Sequence, residues 1–127
     1  MICVDTDILI EHKRASKKDK TQTTLYKLSQ NNSIAVTVIS LFELLRGDSK
    51  EDKFWLDFFE QVHVFHLDSE SSVIAAKIDK DLKSKGSKLE IRDIFIASIC
   101  LRNNIELATN NLKHFLRISD LNLYTVE

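Results

Sequence analysis

A chain of 127 residues with 43% hydrophobic content supports one core, so residues 1–127 are expected to form a single domain. Pro is absent and Gly occurs only twice, which excludes disordered linkers and collagen-like repeats. The formal net charge of −1 excludes overall attraction to nucleic acid, so any such contact has to come from a local basic patch.

The chain opens on the apolar run Ile2-Cys3-Val4, a buried strand candidate, followed by a brief helix from Ile8 to about Arg14. Asp5 arrives too early for a secretory leader, and no stretch approaches a membrane span, so a cytoplasmic, membrane-free protein is expected. Thr24–Gln30 reads as a helix and Asn31-Asn32 as a turn before the strand Ile34-Ala35-Val36. Val38, Leu41, Phe42 and Leu45 share one helix face, and Gly47 follows where a helix end calls for positive φ.

Lys50–Glu60 is a further helix and Val62–Leu67 a third strand. Ser69–Lys85 is a long helix with Ile74, Ile78 and Leu82 on one stripe, stopped by Gly86. The helix from about Glu90 to Asn103 is apolar nearly all round and belongs at the centre of the domain. Glu106–Ala108 is a short strand, Asn110–Leu116 the last helix, and Leu121–Val126 a closing strand. Cys3 and Cys100 sit in apolar runs with no CxxC spacing, and read as buried thiols of a reducing compartment.

Short apolar strands separated by helices imply an α/β domain with a parallel sheet flanked by helices on both faces. Sites in such sheets form beyond the carboxyl ends of the strands, here at Asp5-Thr6-Asp7, Thr37, Asp68 and Thr109-Asn110-Asn111. Three acids stand in apolar settings: Asp5 after the first strand, Glu43 in Val38-Ile39-Ser40-Leu41-Phe42-Glu43-Leu44-Leu45, and Asp93 opening the buried helix. A carboxylate there is costly unless it is paired or binds a metal. Arg92 and Arg46 are candidate partners for Asp93 and Glu43, the structural alternative to metal binding. Acids without a His or Cys set favour a hard cation, Mg²⁺ or Mn²⁺, suited to activating water and neutralising phosphate oxygens.

The segments Val4-Asp5-Thr6-Asp7-Ile8-Leu9-Ile10, Ile39 to Gly47, Asp93-Ile94-Phe95-Ile96-Ala97 and Leu107 to Phe115 together resemble the four motifs of PIN domains, in order and at family-like spacing. The nearest branch is the VapC-type toxin of toxin–antitoxin pairs. The resemblance implies a five-stranded parallel sheet, metal-dependent cleavage of RNA, a homodimer, and inhibition by a cognate antitoxin. It assigns Asp5, Glu43 and Asp93 to catalysis and metal binding, with Thr6 and Ser40 as supporting hydroxyls and Thr109 beside them. The fourth acidic position of the family is Asn111 here, which supplies no charge.

Asp7 precedes the expected helix and is read as its N-cap with a minor part in the site. Ser87-x-x-Glu90 has the spacing of a capping box. The basic run from His12 to Lys20 reads as a solvated loop, with Lys17, Lys18 and Lys20 the candidates if it binds phosphates. Phe54, Trp55, Phe58 and Phe59 crowd one helix, and a protein interface is expected there rather than core packing alone. His114 is read as a surface residue.

Two other readings compete. Asp5-Thr6-Asp7 also resembles the opening of haloacid dehalogenase-like phosphatases, but Leu9 and Thr109-Asn110-Asn111 depart from that pattern. A non-catalytic receiver-like module would place its phosphoacceptor near Asp68, and lacks the Lys it needs after the last strand.

Overall fold

The computed structural model describes residues 1–125. Four parallel strands form one sheet in the order β3-β2-β1-β4, with β1 at Ile2–Val4, β2 at Ile34–Thr37, β3 at His63–Phe65 and β4 at Glu106–Ala108. Among the described residues, seven α-helices connect or flank them. Helices α1 (Thr6–Arg14) and α2 (Thr24–Ser29) lie between β1 and β2, and α3 (Val38–Leu45) and α4 (Asp52–Gln61) between β2 and β3. Helices α5 (Ser69–Ser84) and α6 (Ile91–Arg102) carry the chain to β4, and α7 (Leu112–Phe115) follows it.

Alternation along the strands assigns each residue to a face. Ile2, Val4, Val36 and Ala108 pack with Ile8, Leu9, Leu25, Leu28, Leu44, Trp55 and Phe59 on one side of the sheet. Cys3, Ala35 and Leu107 pack with Ile96, Ala97, Cys100 and Phe115 on the other. Burying both faces explains why β1 is apolar throughout, and places α6 in the core as its sequence requires.

The expected fifth strand is reduced to one parallel bridge, between Leu107 and Leu123. The cause is the length of β4. Ala108 turns its carbonyl toward β1, accepting from Asp5 N at 2.9 Å, so only Leu107 offers its N–H and C=O on the outer edge. Both are taken, by Asn122 O at 2.9 Å and Tyr124 N at 2.8 Å. Val126, the end of the strand expected there, lies outside the described residues.

Other local expectations are corrected at element ends. Gly86 takes positive φ (68°) at the end of α5, as its position requires, whereas Gly47 does not. The turn after α3 is made without the left-handed residue expected there: Gly47 N bonds to Leu44 O at 3.3 Å. The Ser87-x-x-Glu90 box does not form. Glu90 is itself the N-cap of α6, makes no side-chain cap, and points its carboxylate at Arg92.

Chain order fixes where a cleft opens. From β1 the connections run outward through β2 to β3, then return across β1 to β4 on its other side. The reversal leaves a crevice beyond the carboxyl ends of β1 and β4, the switch point where parallel sheets bind ligands.

Candidate active site

An open cleft of about 250 Å³ occupies that crevice, lined by Asp5, Thr6, Asp7, Glu43, Glu90, Asp93, Asn111 and His114 among others. Larger hollows lie elsewhere on the surface, but this one alone gathers Asp5, Glu43 and Asp93. The three acids singled out in the sequence thus meet from three elements. Asp5 follows β1, Glu43 lies on α3, and Asp93 lies in the first turn of α6.

Asp5 is held most firmly. It caps α1, accepting from Thr6 N at 2.8 Å, while its other oxygen accepts from Thr109 Oγ1 at 2.8 Å. The Thr109 hydroxyl in turn accepts from Asn111 N at 3.0 Å, so the segment after β4 is hung on Asp5. Burial still dominates: it pushes the Asp5 carboxyl up to about 6, with the nearby Asp7 charge adding to the shift and the bonds from Thr109 and Thr6 opposing it. Asp93 is likewise pushed up to about 6, first by burial and then by the charges of Asp5 and Glu90, with His114 opposing. His114 Nδ1 lies 3.7 Å from Asp93 Oδ2.

Glu43 is oriented from both sides. Thr6 Oγ1 donates to Glu43 Oε1 at 3.0 Å and lies 2.9 Å from Ser40 Oγ, which is fully buried. Its second oxygen accepts from Arg92 at 3.0 Å, and the same guanidinium holds Glu90 at 2.7 Å. The expected pairing of arginines is therefore exchanged. Arg92 serves Glu43, not Asp93, and Arg46 stacks over the Phe42 ring at 5.6 Å instead of reaching Glu43.

Asp7 belongs to the cleft more fully than its reading as a cap allowed. Helix α1 begins at Thr6, two residues earlier than expected, so Asp5 takes the capping role. Asp7 sits in the first turn, accepts from Asn110 N at 3.1 Å, and has its burial-driven pKa raised. Its other oxygen, Oδ1, is buried with no hydrogen-bond partner. Three cleft residues lacked a clear sequence signal or were given another role, Asp7, Glu90 and His114, as did Arg92, which pairs with the cleft acids Glu43 and Glu90. For His114 the available sign was its position three residues after Asn111, one turn along the same short helix.

The basic run divides. Lys20 is not free for phosphate: its ammonium donates to the carbonyls of His12 and, at 2.8 Å, Ala15, closing the end of α1. Lys17 and Lys18 are exposed. The aromatic helix is also corrected. Trp55 and Phe59 are buried in the core, and Phe54 is the exposed ring, with Lys13 over it at 4.9 Å. Helix α4 rests on the sheet through one stripe, and Trp55 is the wrong residue for an interface.

The donor set fits a hard divalent cation. Carboxylate oxygens crowd one cleft, two of the acids hold protons unusually tightly, and a buried Asp7 oxygen has no donor. Among the described residues, no three such side chains are gathered tightly enough to form a closed cage as they stand. An open set suits Mg²⁺-like ions, which keep several waters and take only one or two carboxylates with substrate oxygens.

Comparison with known proteins bears on the family and the fold. The PIN domain family model matches residues 2–121. Ribonuclease VapC1 of Methanocaldococcus jannaschii is 28% identical over 124 residues, covering 96% of this chain and 84% of its own. Ribonuclease VapC2 of Rickettsia felis is 32% identical over 109 residues, covering 81% of each. Among solved structures, VapBC2 from Rickettsia felis bound to a DNA fragment from its promoter superposes with a TM-score of 0.81 at 28% identity, covering both chains fully.

Proposed function

This chain belongs to the PIN domain family, and from that premise we propose that it is a divalent-metal-dependent endoribonuclease, the toxin of a toxin–antitoxin pair. The observation that carries the reading is the meeting of Asp5, Glu43 and Asp93 in one cleft at the sheet's switch point. Similarity to two chains named as VapC ribonucleases supports RNA as the substrate.

Asp5, Glu43 and Asp93 are the residues that would hold the ion, Mg²⁺ or Mn²⁺. When bound, it supplies Lewis acidity to a phosphate oxygen and lowers the pKa of a water. The protein's own part is orientation. Thr109 and the Thr6 amide fix Asp5, and the Thr6 hydroxyl fixes Glu43 with Ser40 beside it. Asn111 offers a neutral amide in place of a fourth charge, so the site favours one strongly held ion over two. Lys17 and Lys18 remain available to the substrate's phosphate chain. A cognate antitoxin is the partner, supported by the fold shared with VapBC2, and the active form is a homodimer.

Cleavage of a single-stranded RNA is the direct test. Chelator is expected to stop it and added Mg²⁺ or Mn²⁺ to restore it. Undiminished cleavage in excess chelator would overturn the metal-dependent reading. A phosphatase of the dehalogenase type is disfavoured, because Asp5 has both oxygens engaged as cap and acceptor, a poor state for a nucleophile.

A further inference from the structure

Arg92 does not line the cleft itself but pairs with two residues that do, Glu43 and Glu90. Its guanidinium reaches across from the start of α6 and donates through one nitrogen to Glu43 and through another to Glu90. The side chain is 31% exposed, whereas the Glu43 side chain is 18% exposed, so the bond is made at the rim between a sheltered acid and solvent. Both acids line the cleft. Glu43 Oε1 accepts from the buried Thr6 hydroxyl and Oε2 from the partly exposed Arg92, so a cation that draws on Oε2 meets Arg92 as its competitor.

We propose that Arg92 is a positioning and specificity residue for the cleft: it competes with the divalent ion for Glu43 Oε2 and, tethered to Glu90, presents its remaining donors to a substrate phosphodiester. This inference rests on the metal-dependent reading above and deepens it.

The physical case has two parts. A guanidinium lowers the negative charge felt by an incoming cation, and ion affinity at oxygen sites follows ligand charge. Arg92 therefore weakens ion binding by the free protein. A guanidinium also carries five N–H donors in a planar fork suited to phosphate oxygens, of which two are committed here. When Glu43 turns to the ion, the donor aimed at it is freed while Glu90 keeps the fork at the rim. Tight closure of the site is then favoured by ion and phosphate together. Ion binding and RNA binding become positively coupled, because the ion frees the arginine and the phosphate takes it up.

The test is calorimetric titration of Mn²⁺ into the whole chain, alone and in the presence of a single-stranded oligonucleotide with 2′-deoxy sugars that resists cleavage. Arg92→Gln removes the charge; Arg92→Lys keeps a charge without the fork. In Arg92→Gln the Mn²⁺ affinity of the protein alone is expected to tighten, by roughly threefold or more. Oligonucleotide affinity is expected to fall, and its salt slope to shrink by about 0.7 for the lost contact. Arg92→Lys should keep near wild-type Mn²⁺ affinity while losing part of the oligonucleotide coupling. Unchanged or weakened Mn²⁺ binding in Arg92→Gln, with wild type binding normally, overturns the competition. Unchanged oligonucleotide binding overturns the phosphate contact. A wild-type protein that takes up no Mn²⁺ overturns instead the metal-dependent reading beneath the inference.

Discussion

Two sets of carboxylates in this molecule have the same chemistry and opposite circumstances. On the outer helices, Asp57, Asp79 and Asp81 each meet a lysine one turn away at 2.9–3.0 Å, with side chains 44–55% exposed. Pairs of this kind are screened by solvent and contribute little. In the crevice beyond β1 and β4, Asp5, Asp7 and Asp93 are drawn together with no Lys partner among the described residues, and all three pKa values rise with burial as the first cause. The first arrangement is what a helix surface does by default. The second costs folding free energy that the bonds from Thr109 and Thr6 and the nearby His114 offset only in part, and under the proposed function a bound cation would offset the rest.

The largest expected effect separates the two sets by activity and stability at once. Asp93→Asn removes a ligand charge and should lower RNA cleavage by about 100-fold or more, a loss at least as large as changes to residues behind metal ligands produce. The same variant should melt a few degrees higher than wild type without divalent ions, since it relieves repulsion with Asp5 and Glu90. Lower cleavage with a lower melting temperature would mean that Asp93 is a structural acid.

Much of this was legible in the sequence, for a physical reason. Burial of both sheet faces forces uninterrupted apolar strands and an apolar α6, so a charge within or just after them stands out. Asp5, Glu43 and Asp93 stood out in this way, and the fold brings them to one cleft. What was not legible depends on side-chain direction and on one-turn differences at helix starts. Starting α1 at Thr6 instead of Ile8 turned Asp7 from a cap into a cleft residue. Arg92 adjoins Asp93 in sequence yet pairs with Glu43 on another helix, which no spacing encodes. Trp55 illustrates the converse, since a crowded aromatic helix looks the same in sequence whether its rings face the sheet or a partner.

An intermediate effect appears in the pH dependence of stability without divalent ions. Asp5 and Asp93 have ordinary values of 3.8 and folded values of about 6. Between these the folded state binds more protons than the unfolded state, so stability rises as pH falls from 7 toward 5. The penalty is complete above about 6 and gone below the unfolded value. For Asp5, the more buried of the two, it is on the order of 2–3 kcal/mol. Urea midpoints at pH 7, 6 and 5 read its upper part, a rise of about 1 kcal/mol for Asp5 by pH 5. Asp93→Asn should flatten the slope and Asp81→Asn should leave it as it was. Equal slopes in all three proteins would place the unusual acids elsewhere.

A smaller effect is expected at Asn111, which lines the cleft without a charge. Asn111→Asp adds a fourth carboxylate of the kind the resemblance to PIN domains implies there. It should tighten the first divalent ion several-fold, by roughly 1 kcal/mol. Calorimetric titration reads this directly, and an unchanged affinity would show that residue 111 does not face the ion.

The central claim, that Asp5, Glu43 and Asp93 together hold a divalent cation, is tested most directly by thermal unfolding of wild type and Asp93→Asn across a Mn²⁺ series at pH 7. A ligand that binds only the folded state stabilises it in proportion to RT ln(1 + [L]/Kd), about 2.7 kcal/mol at one hundred times Kd. Wild type should climb steadily in melting temperature with Mn²⁺, cross above the variant, and leave Asp93→Asn nearly flat. Parallel curves for the two proteins, or no rise in either, would contradict it.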